Sequence, residues 1–345
     1  MTGRTRLVGV VLASTLMLGA LVAFGASVWL QRHDVAAPAA RTADTGPAGM
    51  WAGGGRIAFR DTTAGSGYGH VASVDVAAPR GARTVGAEVC DRLDATVDAL
   101  SCLRVVRGIV PSYTATTSRP DGSEIASWPL PGIPSRTRIS PDGTLVATTA
   151  FVTGHSYAAV GFSTATVVSR LDGTHLGDLE DWTLIRDGRP VAPVDRNYWG
   201  VTFADDRTFY ATVGMTLAGT TALVRGDIAA RTLTMLAEDM ECPSLSPDGS
   251  RIAFKRVTAG RAPTVHWTPG VYDIATGGVT LLPEARHIDD QIEWLDDETI
   301  LYGMPREDTP GDSDVWSLAV DGAGEPEILI EHAWSPAVVR GGSGG

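Results

Sequence analysis

Hydrophobic and polar positions follow two different patterns along this chain. Residues 7–30 form one apolar stretch without a charged side chain. From about residue 51 onward, short apolar runs alternate with turns rich in Gly, Pro and Asp. The first pattern predicts a single long apolar helix, and the second predicts many short β-strands.

One turn motif recurs between predicted strands. The segment 140–143, Ser-Pro-Asp-Gly, precedes the apolar run 145–147, and the same motif at 246–249 precedes 251–254. Pro presets φ, Asp bonds its own backbone and Gly accepts a positive φ, so each copy predicts a tight turn. Degenerate copies stand at Asp205-Asp206 and Asp296-Asp297.

A second landmark is an Asp that closes a later strand of each repeat. Its copies are Asp75, Asp121, Asp172, Asp227, Asp273 and Asp321. Six copies spaced by about 50 residues, with four short strands each, predict an all-β fold, a six-bladed β-propeller over residues 51–340. The helical segments that a parallel α/β fold requires between its strands are not present.

The two ends of the repeat region predict how the ring closes. The segment 53–59 corresponds to the second strand of a blade, so the first blade lacks its inner strand. The last apolar segment, Ala333–Val339, follows the sixth blade and is placed to supply that strand. Closure of this kind removes the exposed edges of a linear array. Residues 341–345 are predicted to be a flexible tail.

The repeat resembles that of TolB-like propellers. Ser-Pro-Asp-Gly followed by Ile-Ala-Phe is almost complete at 246–254 and recognisable at 140–147. The resemblance implies a periplasmic propeller that binds partner proteins. TolB carries an additional N-terminal α/β domain, for which residues before the first blade leave no room. We therefore expect a single-propeller, membrane-anchored form without a direct Tol-Pal role.

The N-terminal segment, residues 1–33, predicts a membrane anchor. A helix of about 20 residues spans the hydrocarbon core, and Arg4 and Arg6 before the apolar stretch favour a cytoplasmic N-terminus. This places the propeller at the cell membrane on the extracytoplasmic side. The alternative is a cleaved signal and a secreted protein, with Ala37-Pro38-Ala39 as the cleavage region. Residues 34–50 are predicted to be a flexible linker.

Three cysteines bear on the redox environment. An exported domain meets oxidising conditions, so we expect a disulfide between Cys90 and Cys102, around a helix-like stretch from Asp91 to Leu100. Cys242 is then a buried thiol. The alternative is three free thiols.

The net charge of −12 and a single lysine, Lys255, argue against the basic face that nucleic-acid binding requires.

The starts of the inner strands converge on the central channel of a propeller, and polar residues are predicted there. Arg136 and Arg138 are placed before the third inner strand, and Glu241 before the fifth. The remaining candidates, before the fourth and sixth inner strands, are Asp195, Arg196, Asn197, Tyr198, Trp199, His287, Asp289 and Asp290. Such a ring predicts a ligand or partner site, and its carboxylates suggest Ca²⁺ as a ligand. The alternative is that these are solvated turn residues.

No nucleophile motif or zinc spacing is present, so the sequence predicts no catalytic residues. We expect a protein-interaction scaffold in the bacterial cell envelope whose partner is an envelope protein. The alternatives are a small-molecule or glycan sensor, and a metal-dependent hydrolase of the lactonase type. An extra β-hairpin is predicted over Asp181–Val194, around Asp187-Gly188.

Overall fold

The computed structural model of the chain describes residues 41–42, 50, 54–152, 163–215, 217–260 and 265–341. These residues form six sheets, each with at least four strands. Neighbouring inner strands contact one another around a central axis. The predicted all-β, six-bladed propeller is therefore confirmed.

The first three blades follow one another along the chain. Blade one contains β1 (Arg41–Thr42), β2 (Arg56–Asp61), β3 (His70–Asp75) and β4 (Arg83–Val89). Blade two contains β5 (Arg92–Ala95), β6 (Leu100–Val106), β7 (Ser112–Ser118) and β8 (Glu124–Pro129). Blade three contains β9 (Ile133–Ile139), β10 (Leu145–Val152), β11 (Ser163–Arg170) and β12 (His175–Asp178).

The second half of the propeller, blades four to six, begins after a short 3₁₀ helix, Leu179–Asp181. Blade four contains β13 (Thr183–Arg186), β14 (Arg189–Val191), β15 (Arg196–Phe203), β16 (Thr208–Met215), β17 (Thr220–Asp227) and β18 (Thr232–Glu238). Blade five contains β19 (Glu241–Leu245), β20 (Arg251–Ala259), β21 (His266–Asp273) and β22 (Val279–Leu281). Blade six contains β23 (Glu293–Trp294), β24 (Thr299–Pro305), β25 (Ser313–Ala319) and β26 (Glu327–Ile330). The last described strand is β27 (Ala333–Val339).

The closing strand lies where the sequence predicted it. β27 pairs antiparallel with β2, with Arg56 opposite Val339 and Ile57 opposite Val338. Blade one therefore takes its inner strand from the C-terminal end of the propeller. The two ends of the ring are joined by backbone hydrogen bonds, so β2 does not present an open edge at the channel.

The turn motifs also fall at their predicted positions. The Asp142 carboxylate, between β9 and β10, accepts hydrogen bonds from the backbone N–H and the hydroxyl of Thr144. Asp248 forms the same contacts with Ser250 between β19 and β20. In these turns, hydrogen bonds from the Asp side chain replace the bonds between paired strands. They fix where the inner strands β9 and β19 end.

The predicted hairpin over Asp181–Val194 is confirmed as β13 and β14. Asp187 and Gly188 both have positive φ, of 51° and 72°, as a two-residue hairpin turn of type I′ requires. β13 pairs in parallel with β18 and extends blade four to six strands. Trp182, just before β13, packs edge-to-face on Phe209 at 5.6 Å in the largest apolar cluster, between blades three and four.

The disulfide between Cys90 and Cys102 is present, with 5.4 Å between the Cα atoms. The helix-like stretch between them was predicted wrongly, because it forms β5, a turn and the start of β6. Leu93, Val97 and Leu100 have the i, i+4, i+7 spacing of a helix, yet all three pack in one cluster between blades. Cys242 is a buried free thiol, as predicted.

The C-terminal end of the predicted linker is attached to the propeller. Arg41 and Thr42 pair in parallel with Arg83 and Thr84 of β4. Met50 is buried between blades one and two, and its carbonyl accepts a 2.6 Å hydrogen bond from Ser73. The flexible linker predicted over residues 34–50 therefore extends too far toward the propeller, because residues 41–42 and 50 contact it. The predicted anchor, residues 1–33, and residues 342–345 of the tail lie outside the described residues.

Within the described part of the chain, no helical segment has the length and hydrophobicity that a membrane span requires.

Candidate functional site

The inner strands all begin at the same face of the propeller, which we call the entrance face. They start at Arg92, Ile133, Arg196, Glu241, Glu293 and Ala333. The opposite face, where these strands end, is called the exit face. The entrance face is where the sequence predicted a ring of polar groups.

Most of the predicted residues belong to the inner strands themselves. Arg136 and Arg138 lie within β9, Arg196 begins β15, and Glu241 begins β19. β9 and β15 begin earlier than predicted, because polar residues among their first positions obscure the apolar pattern of a strand. The segment 287–291, predicted as a loop before the sixth inner strand, lies within the loop that precedes β23.

Asp290 lies on this loop and is completely buried. Its Oδ1 atom is 3.1 Å from Arg92 NH1 of blade two, and its Oδ2 accepts a 3.0 Å bond from the backbone N–H of Gly303. Burial, followed by the nearby charge of Arg136, lowers the pKa of Arg92 to about 10. The loop thus ties blade six to blade two across the rim of the channel.

Asp289, the preceding residue, points to solvent and is 65% exposed. Its carboxylate lies 3.2 Å from Lys255 Nζ, and its carbonyl accepts a 2.7 Å bond from Arg136 of blade three. Burial acts against ionisation, but Lys255 and Arg136 outweigh it and lower the pKa of Asp289. A negative charge is therefore fixed above the channel between two cations.

Below the loop, paired charges fill the channel. Arg138 of blade three donates to Glu293 of blade six and lies 3.5 Å from Asp94 of blade two. Asp94 also accepts a 2.6 Å bond from the N–H of Ile139, while burial raises its pKa to about 6. Because these contacts join three blades through buried groups, the interior of the channel is a structural network.

A second cluster adjoins Asp289 on the side of blade five. Trp267 Nε1 donates a 3.1 Å bond to Glu241, and the Trp267 ring stacks on His287 at 5.0 Å. Lys255 Nζ lies 4.7 Å from the centre of the same indole ring. Burial raises the pKa of Glu241, and burial lowers that of His287.

The structure thus brings together five predicted residues: Arg136, Glu241, His287, Asp289 and Asp290. Arg92, Lys255 and Trp267 also belong to this group, although they were not predicted from the sequence. Arg92 was assigned to a helix-like stretch, and the other two come from the second and third strands of blade five. One available signal was that Lys255 is the only lysine of the chain and follows a strand motif.

Asp195 and Asn197 do not join this cluster. The Asp195 carboxylate accepts from the backbone N–H of Leu217. The Asn197 side chain accepts a 3.2 Å bond from the N–H of Thr164 and donates to the Asp195 carbonyl at 3.1 Å. Asn197 therefore holds the start of blade four against blade three, whereas Asp195 bonds within blade four.

The other residues of that segment are also structural. Arg196 donates a 2.6 Å bond to the Glu180 carbonyl. Tyr198 is fully buried, and Trp199 is nearly so, with its ring against Gly214. Arg196 and Tyr198 thus belong to the junction of blades three and four, and Trp199 packs within blade four.

The carboxylates proposed for Ca²⁺ are neutralised by protein cations. Asp289 pairs with Lys255, and Asp290 pairs with Arg92. Among the described residues, no three His, Cys, Asp or Glu side chains are close enough to hold a metal ion. Nothing in this part of the chain supports the calcium prediction.

Exposed apolar side chains are concentrated on the entrance face. Ile109 and Val110, in the loop between β6 and β7, are the most exposed, with Ile109 fully accessible and Val110 at 81%. We call the segment Arg107–Pro111 the finger loop. The others at strand ends or loops of this face are Tyr68, Val106, Ile133, Phe151, Val194, Leu217 and Val257.

The entrance face also contains an open groove of about 640 Å³ over blade six. His287 lies in its wall, so the groove adjoins the cluster around Trp267. The groove is bounded by the connection from blade five and by the loop between β24 and β25.

No protein-family model matches the chain, and no curated protein matches it. Several solved structures match the chain at low sequence identity. A protein assigned as TolB from Agrobacterium tumefaciens is 14% identical, with a TM-score of 0.46, over 80% of this chain and 88% of that one. A puromycin-hydrolysing peptidase from Mycobacterium tuberculosis is 14% identical, with a TM-score of 0.48, over 81% of this chain and 44% of that one.

An oligogalacturonate lyase in complex with manganese is 13% identical, with a TM-score of 0.46, over 73% of this chain and 71% of that one. The propeller fold expected from the sequence is confirmed by the six sheets of this chain itself.

Proposed function

We propose that this chain is a membrane-tethered, extracytoplasmic TolB-like propeller that acts as a protein-interaction scaffold in the bacterial cell envelope. The observation that carries the proposal is the concentration of exposed apolar side chains on the entrance face. Large exposed apolar patches are typical of interaction surfaces.

The finger loop is the strongest element of this surface. Ile109 and Val110 stand next to each other at a loop tip, where water surrounds them in the free protein. Burying a side chain of this type contributes about 1.5–3 kcal/mol. The loop projects from paired β-strands of a closed ring, so little conformational entropy is lost when it binds.

The disulfide supports an extracytoplasmic location. Cys90 and Cys102 lie in the connection between blades one and two, and their bond persists in oxidising compartments. This agrees with the orientation expected from Arg4 and Arg6, which precede the apolar stretch 7–30.

The path of the chain favours a protein over the lipid surface as the occupant of the entrance face. Arg41 and Thr42 run parallel to β4 beside its first residues, at the end of the strand nearer the exit face. The described part of the chain therefore first contacts blade one at its exit side, which supports an entrance face directed away from the membrane.

The test is in-cell crosslinking of the full-length chain, with the captured proteins identified by mass spectrometry. The finger-loop variant I109S/V110S removes two exposed apolar groups. The matched control V279S/L281S does the same on β22, at the outer edge of blade five. We expect one envelope protein to crosslink to wild type and control, and at least tenfold less to the finger-loop variant.

Two outcomes would count against the proposal. One is a partner whose capture is equal for wild type and the finger-loop variant. The other is the absence of any partner while the full-length protein is intact and fractionates with the membrane.

A further inference from the structure

The groove over blade six has a composition of its own, distinct from the rest of the entrance face. Its floor is apolar, formed by Met304, Trp316 and Ile328. Its walls are charged, and they are formed by Arg286, Arg306, Glu307, Asp308, Asp314 and Glu331. A volume of about 640 Å³ is within the usual range for ligand sites.

The two arginines of the groove are already neutralised. Arg286 forms a two-pronged contact with Glu284, at 2.9 Å and 2.5 Å, and its guanidinium lies 3.7 Å from the centre of the Trp316 ring. Arg306 donates to Asp314 at 3.0 Å and 2.7 Å. Each positive charge is therefore paired with a carboxylate of the protein.

The carboxylates of the rim have no such partners. Glu307 and Asp308 are exposed and make no contact with a cation among the described residues. Glu331 is 67% exposed, and its nearest cation is Arg306 at 3.9 Å, which is already bound by Asp314. The groove consequently has an apolar floor below an excess of negative charge.

We infer that this groove binds a basic side chain, arginine or lysine, from an extended polypeptide segment. The aliphatic stem of such a side chain covers Met304, Trp316 and Ile328, while its head group meets the rim carboxylates. The net charge of −12 steers a basic segment toward the protein. The inference rests on the proposed function only in assuming that the segment belongs to the partner protein.

The test uses the full-length chain in nanodiscs of neutral phosphatidylcholine, which do not attract basic peptides. The probe is an acetylated and amidated peptide of alternating glycine and arginine, titrated by calorimetry at low ionic strength. The matching glycine–glutamate peptide is titrated in parallel. We expect the arginine peptide to bind and the glutamate peptide to give no binding heat.

Two triple variants locate the site. The groove variant is E307Q/D308N/E331Q. The control D206N/E298Q/E325Q removes the same charge from exposed turns of the exit face. We expect the groove variant to bind the arginine peptide about tenfold more weakly than wild type, since exposed ion pairs are individually weak. The control should keep wild-type affinity.

Equal affinities of the two triple variants, or equal binding of both peptides, would overturn the inference. The finger-loop variant I109S/V110S should keep wild-type affinity for the peptide. If no envelope partner is found but the groove variant loses peptide binding, the proposed function fails and the groove inference stands. If an envelope partner is found but the arginine peptide does not bind, the groove inference fails and the proposed function stands.

Discussion

Arg92, at the start of blade two, lies 3.1 Å from Asp290 on the loop before blade six, across the rim of the channel. The guanidinium also lies 5.2 Å from the ring centre of Trp334 in the closing strand. A Cβ on Gly303 would come within 2.6 Å of Asp290 Oδ2 and 2.5 Å of the Trp334 ring, so glycine is required there. Three blades thus meet at one buried ion pair.

The first prediction concerns this pair. Replacing Asp290 by alanine leaves Arg92 without its partner and the N–H of Gly303 unbonded, and we expect a loss of about 3–5 kcal/mol in the free energy of unfolding. The neighbouring variant Asp289→Ala removes an exposed carboxylate and should lose no more than about 1 kcal/mol. Urea denaturation followed by tryptophan fluorescence measures both, and equal losses would refute the distinction.

The second prediction concerns the disulfide. The bridge between Cys90 and Cys102 closes a loop of 12 residues, for which we expect a contribution of about 2–3 kcal/mol. The double variant C90S/C102S should unfold at lower denaturant than wild type, and reduction of the wild type should give the same shift. Alkylation of the denatured, unreduced protein should label only Cys242, and labelling of three thiols would contradict the assignment.

The third prediction concerns ring closure. A chain that ends at His332 lacks β27, so β2 loses its partner and blade one loses its inner strand. We expect this chain to associate through the open edge and to lose its cooperative unfolding transition. A chain that ends at Gly341 keeps the whole strand and should behave as wild type. Light scattering and thermal unfolding compare the two, and a stable truncated monomer would show that β27 is not needed.

Much of the fold could be predicted because turn chemistry is local. The Pro-Asp-Gly turns at 141–143 and 247–249 fix the ends of inner strands through contacts within a few residues. The closing strand followed from counting strands, and the hairpin at Asp187-Gly188 followed from its turn. None of these predictions required knowledge of distant contacts.

The site was harder to predict because its members come from distant parts of the chain. Arg92 and Asp290 are 198 residues apart, and Arg138 and Glu293 are 155 apart. A polar residue at the start of an inner strand has the same sequence signature whether it faces solvent or an opposite charge. Tyr198 was therefore assigned to the site, whereas it is buried between blades.

The last prediction concerns pH. Glu180, in the short 3₁₀ helix between blades three and four, is half-buried, and burial together with the neighbouring charge of Asp178 raises its pKa to about 7. Arg196 opposes this shift. The folded protein therefore holds a proton on Glu180 more tightly than the unfolded chain, where the ordinary value is 4.5.

The sign of the effect follows from this difference. Protonated Glu180 stabilises the fold fully below about pH 4.5, and this stability is lost as the pH rises through about 7. At about pH 8 the variant E180Q, which is always neutral, should be more stable than wild type by on the order of 1 kcal/mol, after allowance for solvent screening. Near pH 4.5 the two should unfold alike. Urea denaturation at both pH values measures the difference, with D206N, in an exposed turn of the exit face, as the control. A gain for E180Q that is the same at both pH values, or that D206N shares, would rule out the raised pKa of Glu180 as its cause.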